Sequence, residues 1–215
     1  MSSMDRVTEG APATPSNWNV PNALTTLRIL MVPFFGWALL VDDGHNNGSR
    51  WVAYLLFGLA MLTDKIDGDL ARKHNLITNF GKIADPIADK ALTGMAFVGL
   101  SIIGELWWWV TAVVLIREWG ITFMRFWLIK HDVIVPASQG GKLKTTAQAL
   151  ALGLLIAPLN HLHGGWETVG MVGWWIGVAW MAVAVGFTVV TGYQYVVQMM
   201  GARADAKAAK AAGAA

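Results

Sequence analysis

At 215 residues the chain is long enough for one domain, and 55% apolar against 14% charged residues sets it far from the balance of a soluble globular protein. The formal net charge of +2 gives no reason to expect a nucleic-acid surface, and the absence of cysteine excludes both a disulfide framework and a thiolate metal site. An integral membrane protein is the class that remains.

Residues 1–18 carry Asp5, Glu9 and prolines and lack the short apolar core of a cleavable signal, which predicts a flexible cytoplasmic tail. Apolar runs then recur at Asn22 to Val41, Trp51 to Leu62, Ala91 to Gly104, Leu106 to Ile116, Thr145 to Leu159 and Val169 to Val197. They predict an all-α membrane protein with six transmembrane helices in residues 19–199. Several runs fall short of the roughly 20 residues that a bilayer core demands, so they span only by continuing into the neighbouring charged segments. Residues 200–215, which end in GARADAKAAKAAGAA, are low in complexity and suit a cytoplasmic tail, as a helix extension or a disordered end.

Lysine and arginine fall on or towards one side of this arrangement, Arg50 alone on the other, which places both termini in the cytoplasm. Trp107 to Trp109, Trp166, Trp174 and Trp175 collect at the outer side, where amphipathic rings suit the headgroup layer. His161 and His163 fall in an outer loop and read as interfacial residues, not metal ligands.

The charge is concentrated in TDKIDGDLARKHNLITNFGKIADPIADK, residues 63 to 90. At about 1.5 Å per helical residue, Asp64 and Asp67 lie about 20 and 24 Å below Trp51, and Asp89 and Asp85 about 22 and 28 Å below Gly104 on the next, antiparallel helix. The i, i+3 and i, i+4 spacings put each pair on one helix side, so two facing pairs make a four-carboxylate cluster in the inner leaflet. Like charges at such depth need compensation, and an all-oxygen donor set suits Mg²⁺, Mn²⁺ or Ca²⁺ better than zinc. Gly68 and Ala71 share the side of Asp64 and Asp67 and leave room for a flat group or a close helix. Gly81 with Asn75 and Asn79 marks the turn, while Pro86 suits the first turn of a helix that Asp85 caps.

Read as a pattern, residues 64 to 89 give D-x-x-D-G-x-x-A-R-x8-G-x-x-x-D-x-x-x-D. This resembles the signature of the CDP-alcohol phosphotransferase family, membrane enzymes that make phospholipids from CDP-linked precursors. NVPNALTTLRILMVPFF, DPIADK, REWGITFMR and GKLKTTAQ are similar to the phosphatidylglycerophosphate synthase branch, over about Asn19 to Tyr195. The resemblance implies the six-helix fold of that family, a homodimer, and a cavity open to the cytoplasm and inner leaflet of a bacterial-type plasma membrane. It also implies two divalent ions, Mg²⁺ or Mn²⁺, on Asp64, Asp67, Asp85 and Asp89, with Asp89 as general base.

The implied reaction passes the phosphatidyl group of CDP-diacylglycerol to sn-glycerol 3-phosphate and releases CMP. Arg72 is placed for the nucleotide's phosphates, Gly68 and Ala71 for its cytidine, and Asn22, Thr25, Thr78 and Gly81 match positions near the nucleotide in the family. For the acceptor's phosphate, Arg117, Lys142 and Lys144 approach the carboxylate level from other helices and Arg125 lies deeper. Glu118 can pair with Arg117 or Arg125. Arg28, alone in an apolar helix, is either a snorkelling side chain or a cavity-facing phosphate contact. Inositol phosphate or phosphatidylglycerol as acceptor, and a divalent-cation transporter, are the competing readings.

Overall fold

In the computed structural model, residues 19–73, 78–129 and 140–212 are described. They form six α-helices: α1 (Val20–Leu40), α2 (Asn47–Lys73), α3 (Asn79–Ile102), α4 (Trp108–Ile129), α5 (Gly140–Ile156) and α6 (Glu167–Ala212). Two short 3₁₀ turns, Val41–Gly44 and Leu159–His161, join α1 to α2 and α5 to α6. The charged segment after Trp51 is an unbroken continuation of α2, which carries Asp64 and Asp67 on the same helix as its apolar start. α6 likewise runs on to Ala212, so most of the low-complexity stretch is helical.

Helix ends follow local chemistry. Asn19 caps α1 by accepting the Asn22 backbone N–H at 2.9 Å, with proline in the first turn. Thr78 caps α3, its hydroxyl accepting the Gly81 N–H at 3.0 Å. This corrects two expectations from the sequence. Asn79 and Gly81 belong to the first turn of α3, not to a loop before it, and Asp85 is no N-cap, because Pro86 lies inside the helix that Thr78 has already begun.

The helices pack through glycines and small residues. A Cβ on Gly99 of α3 would stand 2.6 Å from Leu39 Cδ2, and one on Gly36 of α1 would stand 2.9 Å from Met95 Sδ. α1 and α3 therefore approach more closely than larger residues permit. Phe35, Leu39, Ala53, Phe57, Leu92, Phe97, Leu152 and Leu155 form a common core. Outside it, Leu30, Phe34 and Trp37 of α1, Leu55 and Leu59 of α2, Ile116 and Phe123 of α4 and Trp175 of α6 are exposed. A surface of that kind belongs in lipid. Two stretches, Val20–Gly44 and Glu167–Arg203, are long and apolar enough to cross a membrane.

One end of the bundle is tied by Arg50, which is fully buried. Its Nη1 donates to Glu105 Oε1 at 2.7 Å, its Nη2 to the Leu155 carbonyl at 2.6 Å and its Nε to the Ile156 carbonyl at 3.1 Å. The last carbonyls of α5, which have no partner within their own helix, are thereby satisfied. Glu105 also accepts from Trp174 Nε1 at 2.7 Å and Asn160 Nδ2 at 3.0 Å. The start of α2, the α3–α4 connection, the end of α5 and the start of α6 thus meet at one level. Trp174 is turned to this knot, whereas Trp107, Trp108, Trp109, Trp166 and Trp175 are exposed as a headgroup belt requires. Asp64, Asp67, Asp85 and Asp89 lie towards the opposite end.

Candidate active site

α2 presents Asp64 and Asp67 from one side, and α1 answers with Arg28. Arg28 Nη1 donates to Asp64 Oδ1 and Nη2 to Asp67 Oδ2, each at 2.5 Å. Arg28 and Asp67 are buried, while 43% of the Asp64 side chain is exposed. Arg28 therefore does not snorkel, and its guanidinium is turned to the two acids. The sequence left snorkelling and a phosphate contact open, and its actual partners lie 36 and 39 residues further along the chain.

α3 brings Asp85 to the same place. Thr25 of α1, itself buried, donates its hydroxyl to Asp85 Oδ1 at 2.6 Å. Two residues from the start of α1, Asn22 and Thr78 hydrogen-bond in both directions: Asn22 Nδ2 donates to Thr78 Oγ1 at 2.9 Å, and that hydroxyl lies 3.0 Å from Asn22 Oδ1. Gly81 closes the group. A Cβ there would stand 3.0 Å from Asn22 Oδ1, 3.4 Å from Thr78 Oγ1 and 3.7 Å from Asp85 Oδ2, so only glycine leaves the arrangement undisturbed. Asn22, Thr25, Thr78, Gly81 and Asp85 are one continuous polar patch. Ala71 and Arg72 lie in the last turn of α2, and their side chains are outside the described residues.

Asp64, Asp67, Asp85 and Gly68 line a cleft of about 820 Å³. Its remaining wall is largely apolar, with Phe57 and Tyr54 from α2 and Leu150 and Leu154 from α5. A headgroup-to-chain gradient of this kind fits a lipid that carries charged phosphates.

Asp89, one turn along α3 from Asp85, lines a smaller neighbouring niche of about 40 Å³ with Lys90, Glu118, Lys144 and Gln148. The carboxylates are close enough to act on one another: Asp64 and Asp85 on Asp67, and Asp64 on Asp89. In the niche, Glu118 is ion-paired with both Lys144 and Arg117, the latter at 3.1 Å. Arg117 also donates Nη2 to Thr191 Oγ1 at 2.9 Å and packs against Gly192, where a Cβ would stand 3.2 Å from its Cγ. Lys90 Nζ donates to Thr122 Oγ1 at 2.6 Å, and the Thr122 hydroxyl donates to the Glu118 carbonyl. Of the cations that the sequence assigns to an acceptor's phosphate, Lys144 thus lines the niche with Asp89, and Arg117 joins it through their shared partner Glu118. The side chains of Arg125 and Lys142 are outside the described residues.

Among the described residues, no three acidic or histidine side chains are drawn into ready metal-ligating geometry. The donor set nevertheless fits a divalent cation. It is all carboxylate oxygen, three members share one cleft, and the only buried cation hydrogen-bonded to it among the described residues is Arg28.

Comparison with known proteins settles what kind of enzyme carries such a site. The family model for CDP-alcohol phosphatidyltransferase matches residues 18–190, which takes in every residue of the site except Thr191 and Gly192. The chain belongs to the CDP-alcohol phosphatidyltransferase family. It is 46% identical over 183 residues to a probable phosphatidylglycerophosphate synthase of Mycobacterium tuberculosis, covering 85% of this chain and 82% of that one. It is 38% identical over 177 residues to a CDP-diacylglycerol–glycerol-3-phosphate 3-phosphatidyltransferase of Rickettsia typhi, covering 82% of this chain and 94% of the relative. A Bacillus subtilis protein of the same description is 35% identical over 187 residues, covering 83% and 93%. A CDP-alcohol phosphatidyltransferase is a transferase, and the apolar outer surface agrees with a membrane enzyme. The matched stretch takes in α2 and α3, the two helices that carry Asp64, Asp67, Asp85 and Asp89.

Proposed function

We propose that the chain transfers the phosphatidyl group of CDP-diacylglycerol to sn-glycerol 3-phosphate, giving phosphatidylglycerophosphate and CMP. The observation that carries this reading is the cleft that runs from Asp64, Asp67 and Asp85 to the apolar wall of α2 and α5, with Asp89 and two cations in the niche beside it. The cleft suits the lipid donor and the niche suits a small phosphorylated acceptor. Cation transport, a reading of a different class, has no support in the family or the named relatives.

In this account Asp64, Asp67, Asp85 and Asp89 hold two divalent cations, Mg²⁺ or Mn²⁺. When bound, such ions offset the charge of the donor's diphosphate and of the departing CMP. Asn22, Thr25, Thr78 and Gly81 position the nucleotide at the start of α1 and α3, helped by Arg72, Gly68 and Ala71. Asp89 accepts the proton of the attacking glycerol hydroxyl as its oxygen bonds to the lipid-bearing phosphorus and the bond to the CMP oxygen breaks.

The niche of about 40 Å³ holds three or four waters at most, since a water needs on the order of 10–15 Å³. A three-carbon phosphate ester enters only by replacing Glu118 as the anion beside Lys144 and Arg117. Arg117 then grips the phosphate as a fork and Lys144 as a point charge. Lys142 and Arg125 add to the cationic field of this acceptor side.

Six transmembrane helices, termini and active site on the cytoplasmic face of a bacterial-type plasma membrane, tails at 1–18 and 200–215, and a homodimer complete the proposal. The test is a pair of measurements on purified protein. CMP release from CDP-diacylglycerol should require both glycerol 3-phosphate and Mg²⁺ or Mn²⁺, and Asp89→Asn should abolish it while leaving the unfolding midpoint intact. Near-normal turnover in that variant removes Asp89 as the base.

A further inference from the structure

We infer that Arg28 is the positioning residue of the acidic cluster: its guanidinium takes one oxygen of Asp64 and one of Asp67 from behind, and so sets both carboxylates for a divalent cation on the cleft side. The inference rests on the reading that these aspartates hold metal. Three observations carry it. The two nitrogens of one planar fork are each 2.5 Å from a different carboxylate, which fixes the separation of the two acids. Asp64 and Asp67 line the cleft but Arg28 does not, so the guanidinium stands behind the acids and leaves the space in front of them clear. Arg28 is also 1% exposed, and its Nε is buried without a hydrogen-bond partner. Contact with the two acids, and not satisfaction of all its donors, determines where this side chain lies.

The physical need is plain from the spacing. Two carboxylates at i, i+3 on one helix repel each other, and one of them, Asp67, is buried. A single fixed positive charge between them offsets that repulsion and holds the two acids at a set separation. Asp85 and Asp89 have no share in Arg28's hydrogen bonds, so their oxygens stay available on the cleft side and in the niche. Groups that orient metal-binding side chains typically govern affinity by about 10–100-fold.

The opposite role makes the opposite prediction. If Arg28 were a stand-in for the metal, its removal would vacate the site and tighten cation binding. The test uses the full chain in detergent without substrate, reading Mn²⁺ affinity from the free-ion paramagnetic resonance signal. Arg28→Lys keeps the charge and loses the fork, and Arg28→Gln keeps a shorter planar group and loses the charge. Both should weaken Mn²⁺ binding, by about 10–100-fold for the lysine variant, with the metal-induced rise in unfolding temperature reduced in parallel. Unchanged or tighter binding in a variant that stays folded overturns the inference. If the unsubstituted protein itself binds no Mn²⁺, the metal-site reading fails and this inference falls with it. A variant that fails to fold without metal but recovers full Mn²⁺ affinity once refolded counts against positioning and for a purely structural ion pair.

Discussion

Replacing Arg50 with methionine tests whether the knot at the non-catalytic end holds the bundle together. The guanidinium is fully buried and makes three close hydrogen bonds, to Glu105 and to the last carbonyls of α5. Methionine fills similar volume but leaves Glu105, whose side chain is 7% exposed, with only the neutral donors of Trp174 and Asn160. Removing one partner of a buried ion pair costs about 3–5 kcal/mol, because the surviving charge is stranded. Each carbonyl left without a partner adds to this, by about 1–3 kcal/mol if water cannot reach it. The lower end of these ranges applies here, since the knot lies near the surface end of the helices. We therefore expect Arg50→Met to lose about 3–5 kcal/mol in denaturant unfolding from mixed micelles. Arg50→Met with Glu105→Gln should recover part of the loss, because the stranded charge is gone. A loss below about 1 kcal/mol, or a double variant no more stable than Arg50→Met, refutes the reasoning. The same pair predicts a pH dependence. Burial pushes the Glu105 carboxyl up, but the Arg50 hydrogen bond and charge, with Asn160 and Trp174, outweigh it and hold the group below the ordinary glutamate value. The unfolded chain then takes up this proton first as pH falls, so the knot's contribution is complete above the ordinary glutamate value and declines as pH drops towards the folded one. Glu105→Gln should flatten that part of the stability profile.

Gly81→Ala forces a Cβ to 3.0 Å from Asn22 Oδ1 and should raise the apparent KM for CDP-diacylglycerol more than that for glycerol 3-phosphate, measured by CMP release. An equal effect on both substrates would detach this patch from the nucleotide. Arg117→Ala should raise the KM for glycerol 3-phosphate by about tenfold or more, the loss expected of a charge-assisted contact. Glu118→Gln should act in the reverse direction and lower that KM, because the resident anion that the acceptor's phosphate displaces is gone; a rise would make Glu118 part of the binding surface. Gly99→Val overpacks the α1–α3 contact against Leu39 and should cost about 1–3 kcal/mol in unfolding with little change in KM.

The six apolar runs were enough to foretell six helices, since each apolar stretch became the body of one. Their charged extensions were legible for the same reason: a 1.5 Å rise carries α2 from Trp51 to Asp67 without needing a turn. Helix starts were less so. Asp85 followed by Pro86 has the form of a cap and a first turn, yet a threonine seven residues earlier starts α3 and leaves both inside it. Arg28 and Arg50 show the deeper limit. Each is a lone charge in an apolar stretch, and its meaning depends on residues 36 to 107 positions away that only tertiary packing supplies. Arg50 looked like a single outer-side cation and is a cap for α5. Glu118's pairing with Arg117 was one of the two options the sequence offered, but its pairing with Lys144 was not visible, because the angle between α4 and α5 is not written in either helix alone.

The most direct test of the central claim is an acceptor panel with the purified protein in detergent, CDP-diacylglycerol and Mg²⁺, in which CMP and the lipid product are both measured. Glycerol 3-phosphate should give CMP and phosphatidylglycerophosphate in equal amounts, and inositol phosphate and phosphatidylglycerol should give neither above background. Turnover with inositol phosphate and none with glycerol 3-phosphate would contradict it.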